Sequence, residues 1–257
     1  GRERVTLLYA VPTMYILILA AETGAWDFSS VRRCFSAAAG LPADVERRWL
    51  ERFGHRIHQG YGLTETSPFA SYNHETRFRS GSVGTPIENV EMKVVDEAGR
   101  ELPDGEPGEI LVKGPNVMKE YFRDPEATAR AIRSGWLHTG DIGYRDNDGY
   151  FFVVDRLKDM INVAGFKVFP REVEELLFGH QAVVAAAVVG VPHPVKGETV
   201  KAFVVLREGA ALTPDALREF CREKIASYKV PEAVEFVDSL PKNPAGKILK
   251  KDLRLLG

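Results

Sequence analysis

Gln59-Gly60-Tyr61-Gly62-Leu63-Thr64-Glu65-Thr66 is the densest run of chemically useful side chains in this chain. Two glycines bracket an aromatic ring, and a hydroxyl and a carboxylate follow directly. Glycines let backbone approach a ligand closely. An aromatic ring can stack on a base, a Thr hydroxyl can donate to a phosphate, and a Glu carboxylate suits Mg²⁺. The same run would also make an ordinary Gly-rich turn. Further along, Trp136-Leu137-His138-Thr139-Gly140-Asp141 ends in an aspartate on what reads as a tight loop. Its two oxygens could accept from vicinal ribose hydroxyls, or from its own backbone. Asp155-Arg156-Leu157-Lys158-Asp159 sets four charges in five residues between apolar runs, as an interdomain joint or a solvated linker would. Pro241-Lys242-Asn243-Pro244-Ala245-Gly246-Lys247 carries a lysine at the tip of a Pro/Gly-rich loop. Such a lysine can serve an anionic transition state, although most lysines are simply exposed.

These residues need elements to hold them. Residues 5–11 read as a buried strand and Pro12 as the first turn of a helix, because proline is favoured there. Residues 5–21, with Arg2 and Arg4 before them, imitate a secretory signal. The run is cut by Pro12 and is shorter than the roughly 20 residues a membrane span needs. Val45, Trp49, Leu50 and Phe53 recur at helical spacing up to Gly54. Residues 90–95 and 109–113 read as antiparallel strands across a turn-rich connection. Asp124-Pro125 caps a helix ending near Gly135, and Asp146-Asn147-Asp148-Gly149 turns into a strand over 150–154. From about Asp155 a second α+β unit is expected. It has a hairpin around Gly165, helices over 170–178 and 213–225, and strands over 183–189, 200–206 and 233–237.

Composition narrows the function class. Charged residues are 27% and apolar ones 44%, which excludes disorder and fits a globular chain with ample core. Lys and Arg number 34 against 36 Asp and Glu, a formal charge of −2, so no net field draws the chain to nucleic acid or anionic lipid. Cys34 and Cys221 stand far apart, with no disulfide or zinc pattern, which suits a reducing cytoplasm.

Taken in order and spacing, the motifs resemble the acyl-adenylate-forming enzymes: acyl-CoA synthetases, firefly luciferase and peptide-synthetase adenylation domains. Tyr61 to Glu65 matches YGxTE. Gly108-Glu109-Ile110 with Gly114 and Tyr121 matches GEI…G…Y. Trp136 to Asp141 matches WxxTGD, residues 155–167 look like the hinge and glycine loop, and residues 241–247 look like PxxxxGK. Thr66 to His74 and Gly165 to Glu174 look most like fatty acyl-CoA synthetases.

The resemblance implies α/β and α+β architecture. Residues 1–155 would be the C-terminal portion of the large AMP-binding domain, with a small antiparallel β subdomain, and residues 156–257 a small mobile domain. It implies an ATP-dependent ligase joining a medium- or long-chain fatty acid, or another hydrophobic carboxylic acid, to CoA through acyl-AMP, with Mg²⁺. Tyr61 would lie against adenine with Gly60 and Gly62 beside it. Thr64 would contact the α-phosphate and Glu65 would help hold Mg²⁺. Asp141 would bind ribose with Arg156 in support. Lys158 would be the hinge, Gly165 would line the pantetheine tunnel, and Lys247 would contact the acyl carboxylate and α-phosphate. Ser36-Ala37-Ala38-Ala39-Gly40 would line the acyl pocket, with Ala38 and Ala39 where SGGAP is commoner. Phe69 and Tyr72 suggest a hydrophobic acid. A homodimer, peripheral membrane contact and a carrier-protein acceptor stay open; nucleic acid and a transmembrane span do not.

The family's Ser/Thr/Gly-rich phosphate loop is absent from the 60 residues before Tyr61. The expectation is therefore a C-terminal half, truncated or part of a split enzyme, with little ligase activity alone. The alternative is a standalone module that binds AMP or acyl-CoA without catalysis.

Overall fold

Pro12 opens the first helix, α1 (Pro12–Ala20), directly after strand β1 (Leu7–Ala10). A proline at the first helical position loses no hydrogen bond and brings its φ preset. The computed structural model describes residues 3–21, 26–243 and 248–256. They belong to two units, Gly1–Val154 and Asp155–Gly257.

In the first unit, β1, β2 (Arg33–Ser36) and β3 (Ile57–Tyr61) run parallel. The short strands β4 (Ser71–Tyr72) and β5 (Thr85–Pro86) continue this sheet in antiparallel sense. Helix α2 (Ala43–Phe53) lies between β2 and β3 in sequence. Asp44 and Glu46 occupy its first turn, where the helix dipole favours negative charge. Gly54 ends it at φ +72, its N–H donating to the Leu50 carbonyl, the left-handed cap that glycine adopts without cost. Tyr15, Cys34, Val45, Trp49 and Ile57 form one buried cluster between α1, α2 and the sheet. Tyr15 and Trp49 meet edge to face with centroids 4.7 Å apart.

A second, antiparallel sheet follows. It runs β10 (Phe151–Arg156), β9 (Trp136–Arg145), β7 (Gly108–Lys113), β6 (Glu91–Val95), with β8 (Ile132–Arg133) paired to β9. Helix α3 (Pro125–Ala131) is capped by Asp124, whose carboxylate accepts the Ala127 N–H at 2.8 Å. It stops short of the expected Gly135. Ser134 and Gly135, both at positive φ, instead turn β8 back onto β9.

Among the described residues the second unit has one sheet, β12 (Phe166–Val168), β11 (Ile161–Val163), β14 (Gly197–Leu206), β13 (Val183–His193), with β15 (Ala233–Phe236) parallel to β14. Val173 and Leu177 of helix α4 (Pro170–Phe178), and Leu217 and Cys221 of helix α5 (Pro214–Arg222), join the core on one face. Leu253 of the short helix α6 (Lys250–Arg254) joins Phe203 and Val189 in another cluster.

The expected antiparallel strands, the hairpin near Gly165 and the succession of helices and strands after Asp155 are present. A further expectation fails. The strand at the chain's beginning is not buried: Leu7 is 43% and Tyr9 66% exposed. β1 lies at the sheet's edge, and among the described residues it pairs only with β2.

Glu46 is buried on α2 and accepts from the Ser80 hydroxyl at 2.8 Å. Burial raises its carboxyl above the ordinary value, against the opposing pull of Ser80, the Gly81 amide, Arg56 and His58. A raised folded value gives stability that is present below the ordinary carboxyl pKa and is lost as pH rises through the raised one. Glu46→Gln keeps an acceptor for Ser80 and cannot ionise. Its melting temperature relative to the unsubstituted protein should therefore climb between pH 4 and pH 8; a constant difference would show that Glu46 contributes no such pH dependence.

Candidate active site

β3 ends where the first motif begins, so Gly60 and Tyr61 are the last residues of a buried strand. Thr64–Thr66 then forms one 3₁₀ turn. Thr66, fully buried, closes it by accepting the Leu63 N–H at 2.9 Å, with the Pro68 carbonyl 3.0 Å from the same hydroxyl. Asn116 Nδ2 donates to the carbonyls of Thr66 and Phe69, at 3.0 and 2.6 Å, and fixes the loop from outside. The turn leaves Thr64 exposed and Glu65 half-exposed.

The glycines have an internal cause. A Cβ on Gly62 would lie 1.8 Å from the Pro68 carbonyl oxygen, and one on Gly60 would lie 2.5 Å from the Phe69 ring. Gly62 is required by the chain's own backbone packing and Gly60 is favoured by the seat of the Phe69 ring, whatever ligand they also approach.

Tyr61 is 8% exposed, with most of its ring in the core. Its hydroxyl donates to Asp141 Oδ2 at 2.8 Å. This bond joins the end of β3 to the middle of β9, 80 residues apart in sequence. Asp141 is 4% exposed and lies within a strand rather than on the expected tight loop. Glu65 is held in a similar way: the Tyr121 hydroxyl donates to its Oε1 at 2.7 Å, and the Met118 N–H to its carbonyl at 2.8 Å. The hydrogen bond to Glu65 pushes the Tyr121 phenol up to about 12. The sequence marked Tyr121 only as a motif position; its contact with Glu65 spans 56 residues and has no local signal.

The other expected site residues are placed as follows. Ala38 and Ala39 are exposed just beyond β2, and Ala38 sits at φ +71, a conformation natural to the glycine of the commoner motif. Ser36 Oγ is buried with no hydrogen-bond partner among the described residues. In the second unit, Arg156 ends β10, and Lys158 is exposed in a 3₁₀ turn, Leu157–Asp159. Ala164 and Gly165, at φ +50 and +89, form the two-residue turn between β11 and β12. Lys247 lies outside the described residues. Its flanks are paired: Lys242 bridges Ile248, and the Leu249 N–H donates to the Pro241 carbonyl at 2.9 Å. Beyond them, Lys250 pairs with Glu174 at 2.8 Å and Arg254 with Asp159 at 2.8 Å.

Comparison with known proteins gives the family. The family model for AMP-binding enzymes matches residues 1–122, and that for the AMP-binding enzyme C-terminal domain matches residues 172–247. The chain belongs to the AMP-binding enzyme family. It is 48% identical to a long-chain-fatty-acid–CoA ligase of Salmonella typhimurium over 231 residues, 89% of this chain and 41% of the relative. It is 46% identical to a feruloyl-CoA synthase of Amycolatopsis sp, over 98% of this chain and 52% of the relative. ATP-bound MatB from Rhodopseudomonas palustris superposes with a TM-score of 0.93 at 38% identity, over 99% of this chain and 51% of that one. The chain thus spans about half the length of the curated relatives it matches.

The two motif glycines separate experimentally. Gly62→Ala meets backbone, which cannot yield, and should cost about 2 kcal/mol or more. Gly60→Ala meets a half-exposed ring that can swing aside and should cost less. Thermal melting of both variants checks the order; equal losses would contradict it.

Proposed function

We propose that this chain carries the nucleotide-gripping portion of an ATP-dependent carboxylic acid–CoA ligase and the small domain that serves its second step. The observation that supports this most directly is the Tyr61–Asp141 hydrogen bond, which brings the YGxTE and WxxTGD motifs into contact. On this reading the Asp141 carboxylate accepts the ribose hydroxyls, Gly60 and the Tyr61 ring lie beside adenine, and Thr64 reaches the α-phosphate. Arg156 supports the ribose contact, and Ala38 and Ala39 border the acyl chain.

Attack of a carboxylate on the α-phosphate brings two anions together. Lys247 supplies positive charge at the reacting oxygens. Glu65 fits a divalent cation of the Mg²⁺ kind, which keeps most of its shell as water and substrate phosphate and needs only one or two protein carboxylates. The Tyr121 hydroxyl, donating to Glu65 Oε1, would hold that carboxylate in place for the ion. Mg²⁺ would neutralise phosphate charge there.

As the carboxylate oxygen bonds to the α-phosphorus, the bond to the β-phosphate breaks and pyrophosphate leaves, giving a mixed anhydride with AMP as a good leaving group. A thiol displaces AMP once Lys247 has withdrawn. Rotation at Lys158 exchanges the Lys247 loop for the Gly165 turn, which lines the path of the pantetheine arm. No enzyme nucleophile is required, and burial pushes both Cys34 and Cys221 up to about 11. These buried, unpaired thiols suit a cytoplasmic enzyme. No helix among the described residues is long and apolar enough to cross a membrane. The acid is a medium- or long-chain fatty acid or another hydrophobic carboxylic acid, in keeping with the long-chain-fatty-acid and feruloyl names of the relatives.

The test is acid-dependent pyrophosphate release with ATP, CoA and a panel of fatty and hydroxycinnamic acids. It is run on these 257 residues and on a polypeptide of the relatives' length that carries them. Acyl-CoA from the longer polypeptide and little from the 257 residues is expected. AMP binding with no acid-dependent release from either would overturn the ligase reading in favour of a binding module. In the longer polypeptide, Lys247→Ala should slow adenylation by about 10²-fold or more, while thioester formation from preformed acyl-AMP stays within a few-fold. Equal loss in both halves would contradict alternation. Lys158→Pro fixes φ at the hinge and should block overall turnover while leaving adenylation in place; full turnover would count against a hinge at Lys158.

A further inference from the structure

β7 and β9 pair regularly at Val112↔Leu137 and Leu111↔His138, and again at Glu109↔Ile142 and Gly108↔Gly143. Two residue steps on β7, from 111 to 109, are matched by four on β9, from 138 to 142. Thr139, Gly140 and Asp141 are therefore pushed out of the ladder as a wide bulge opposite Ile110. A bulge re-aims a side chain at the cost of backbone pairing. The amides it releases must find other acceptors when shielded from water.

Here side chains supply them. The Gly140 N–H donates to Glu109 Oε1 at 3.0 Å, with Gly140 at φ +68. Thr139 Oγ1 donates to the Ile110 carbonyl at 2.6 Å and accepts the Asp141 N–H at 3.1 Å. Glu109 Oε2 faces His138 Nδ1 at 2.8 Å; a carboxylate only accepts, so the imidazole donates. Both side chains are largely buried, at 17% and 15% exposure.

We infer that Glu109 is a positioning residue for nucleotide binding, holding the bulge whose last residue is Asp141 in the register that aims its carboxylate at the nucleotide ribose. Glu109 itself does not touch the ligand. The inference rests on the reading of Asp141 as the ribose-binding carboxylate. It also explains why the GEI and TGD motifs occur together: one strand's carboxylate fills the vacancy that the other strand's bulge creates. A carboxylate is suited to this place because it offers two acceptors in one plane, one for the Gly140 amide and one for the imidazole.

Substitution separates positioning from plain stabilisation. Glu109→Ala removes both acceptors. Glu109→Gln keeps the Gly140 bond through its carbonyl oxygen, and its NH₂ donates to His138 Nδ1 once the imidazole takes its other tautomer. AMP and 2′,3′-dideoxy-AMP are titrated into the unsubstituted protein and the Asp141→Ala, Glu109→Ala and Glu109→Gln variants, with hydrogen exchange at the Gly140 amide followed in parallel. The unsubstituted protein should prefer AMP by about tenfold or more, since hydrogen bonds to a charged group are the strong ones. Asp141→Ala should abolish that preference, Glu109→Ala should reduce it to within about threefold of unity with faster Gly140 exchange, and Glu109→Gln should preserve both. Should Glu109→Ala not fold, Glu109→Met fills the space without an acceptor and carries the same expectation.

A Glu109→Ala variant that melts lower yet keeps its AMP preference would overturn the inference and leave Asp141 as the ribose ligand. Loss of preference in none of the variants, or no AMP binding by the unsubstituted protein, would overturn the reading of Asp141 and the inference with it.

Discussion

A buried carboxylate has to be satisfied, and Asp141 meets that demand through Tyr61. Leaving such a group unpaired inside the first unit would cost several kcal/mol. The Tyr61 hydroxyl is anchored by a ring that already belongs to the core, so little side-chain freedom is lost on making the bond. Much else is arranged around this contact. β3 must end at Tyr61, the loop after it must fold tightly against Gly60 and Gly62, and β9 must break its ladder opposite Ile110. Two sheets of different strand sense are tied at the point where the candidate site needs them in contact.

How far the sequence alone reaches follows from the range of the forces involved. Local signals were legible: Pro12, Pro125, Pro170 and Pro214 at helix starts, Gly54 at a helix end, and the period of Val45, Trp49 and Phe53. So were the motif residues, because glycine, aromatic and carboxylate types carry their chemistry with them. The side-chain partners were not legible. Tyr121 meets Glu65 across 56 residues and His138 meets Glu109 across 29; no periodicity encodes either. The sequence extends helix α3 too far because Ile132 and Arg133 continue its pattern, while the φ > 0 turn after them decides for a strand. Thr-Gly-Asp is a turn composition and points Asp141 to a loop, whereas in a ladder such a composition makes a bulge instead.

In the second unit the same logic appears in reverse. Its sheet has apolar clusters on both sides, and Lys158 and Gly165 stand at exposed turns. Glu174 shows what holding such a segment requires. It is buried between the Val188 N–H and the Lys250 ammonium, at 2.8 Å from each, and burial outweighs both in raising its carboxyl above the ordinary range. A pair of this kind fixes geometry more than it adds stability. Here it fixes where helix α6 begins, three residues beyond Lys247.

The open edge at β1 has a consequence for anyone handling the protein. A parallel strand with Leu7 and Tyr9 exposed, and one row of backbone groups unpaired among the described residues, is a template for further strand addition. In a concentrated solution of the 257 residues, that edge is where self-association would start. Charged substitutions at Leu7 or Tyr9 would be the first place to look for a better-behaved preparation.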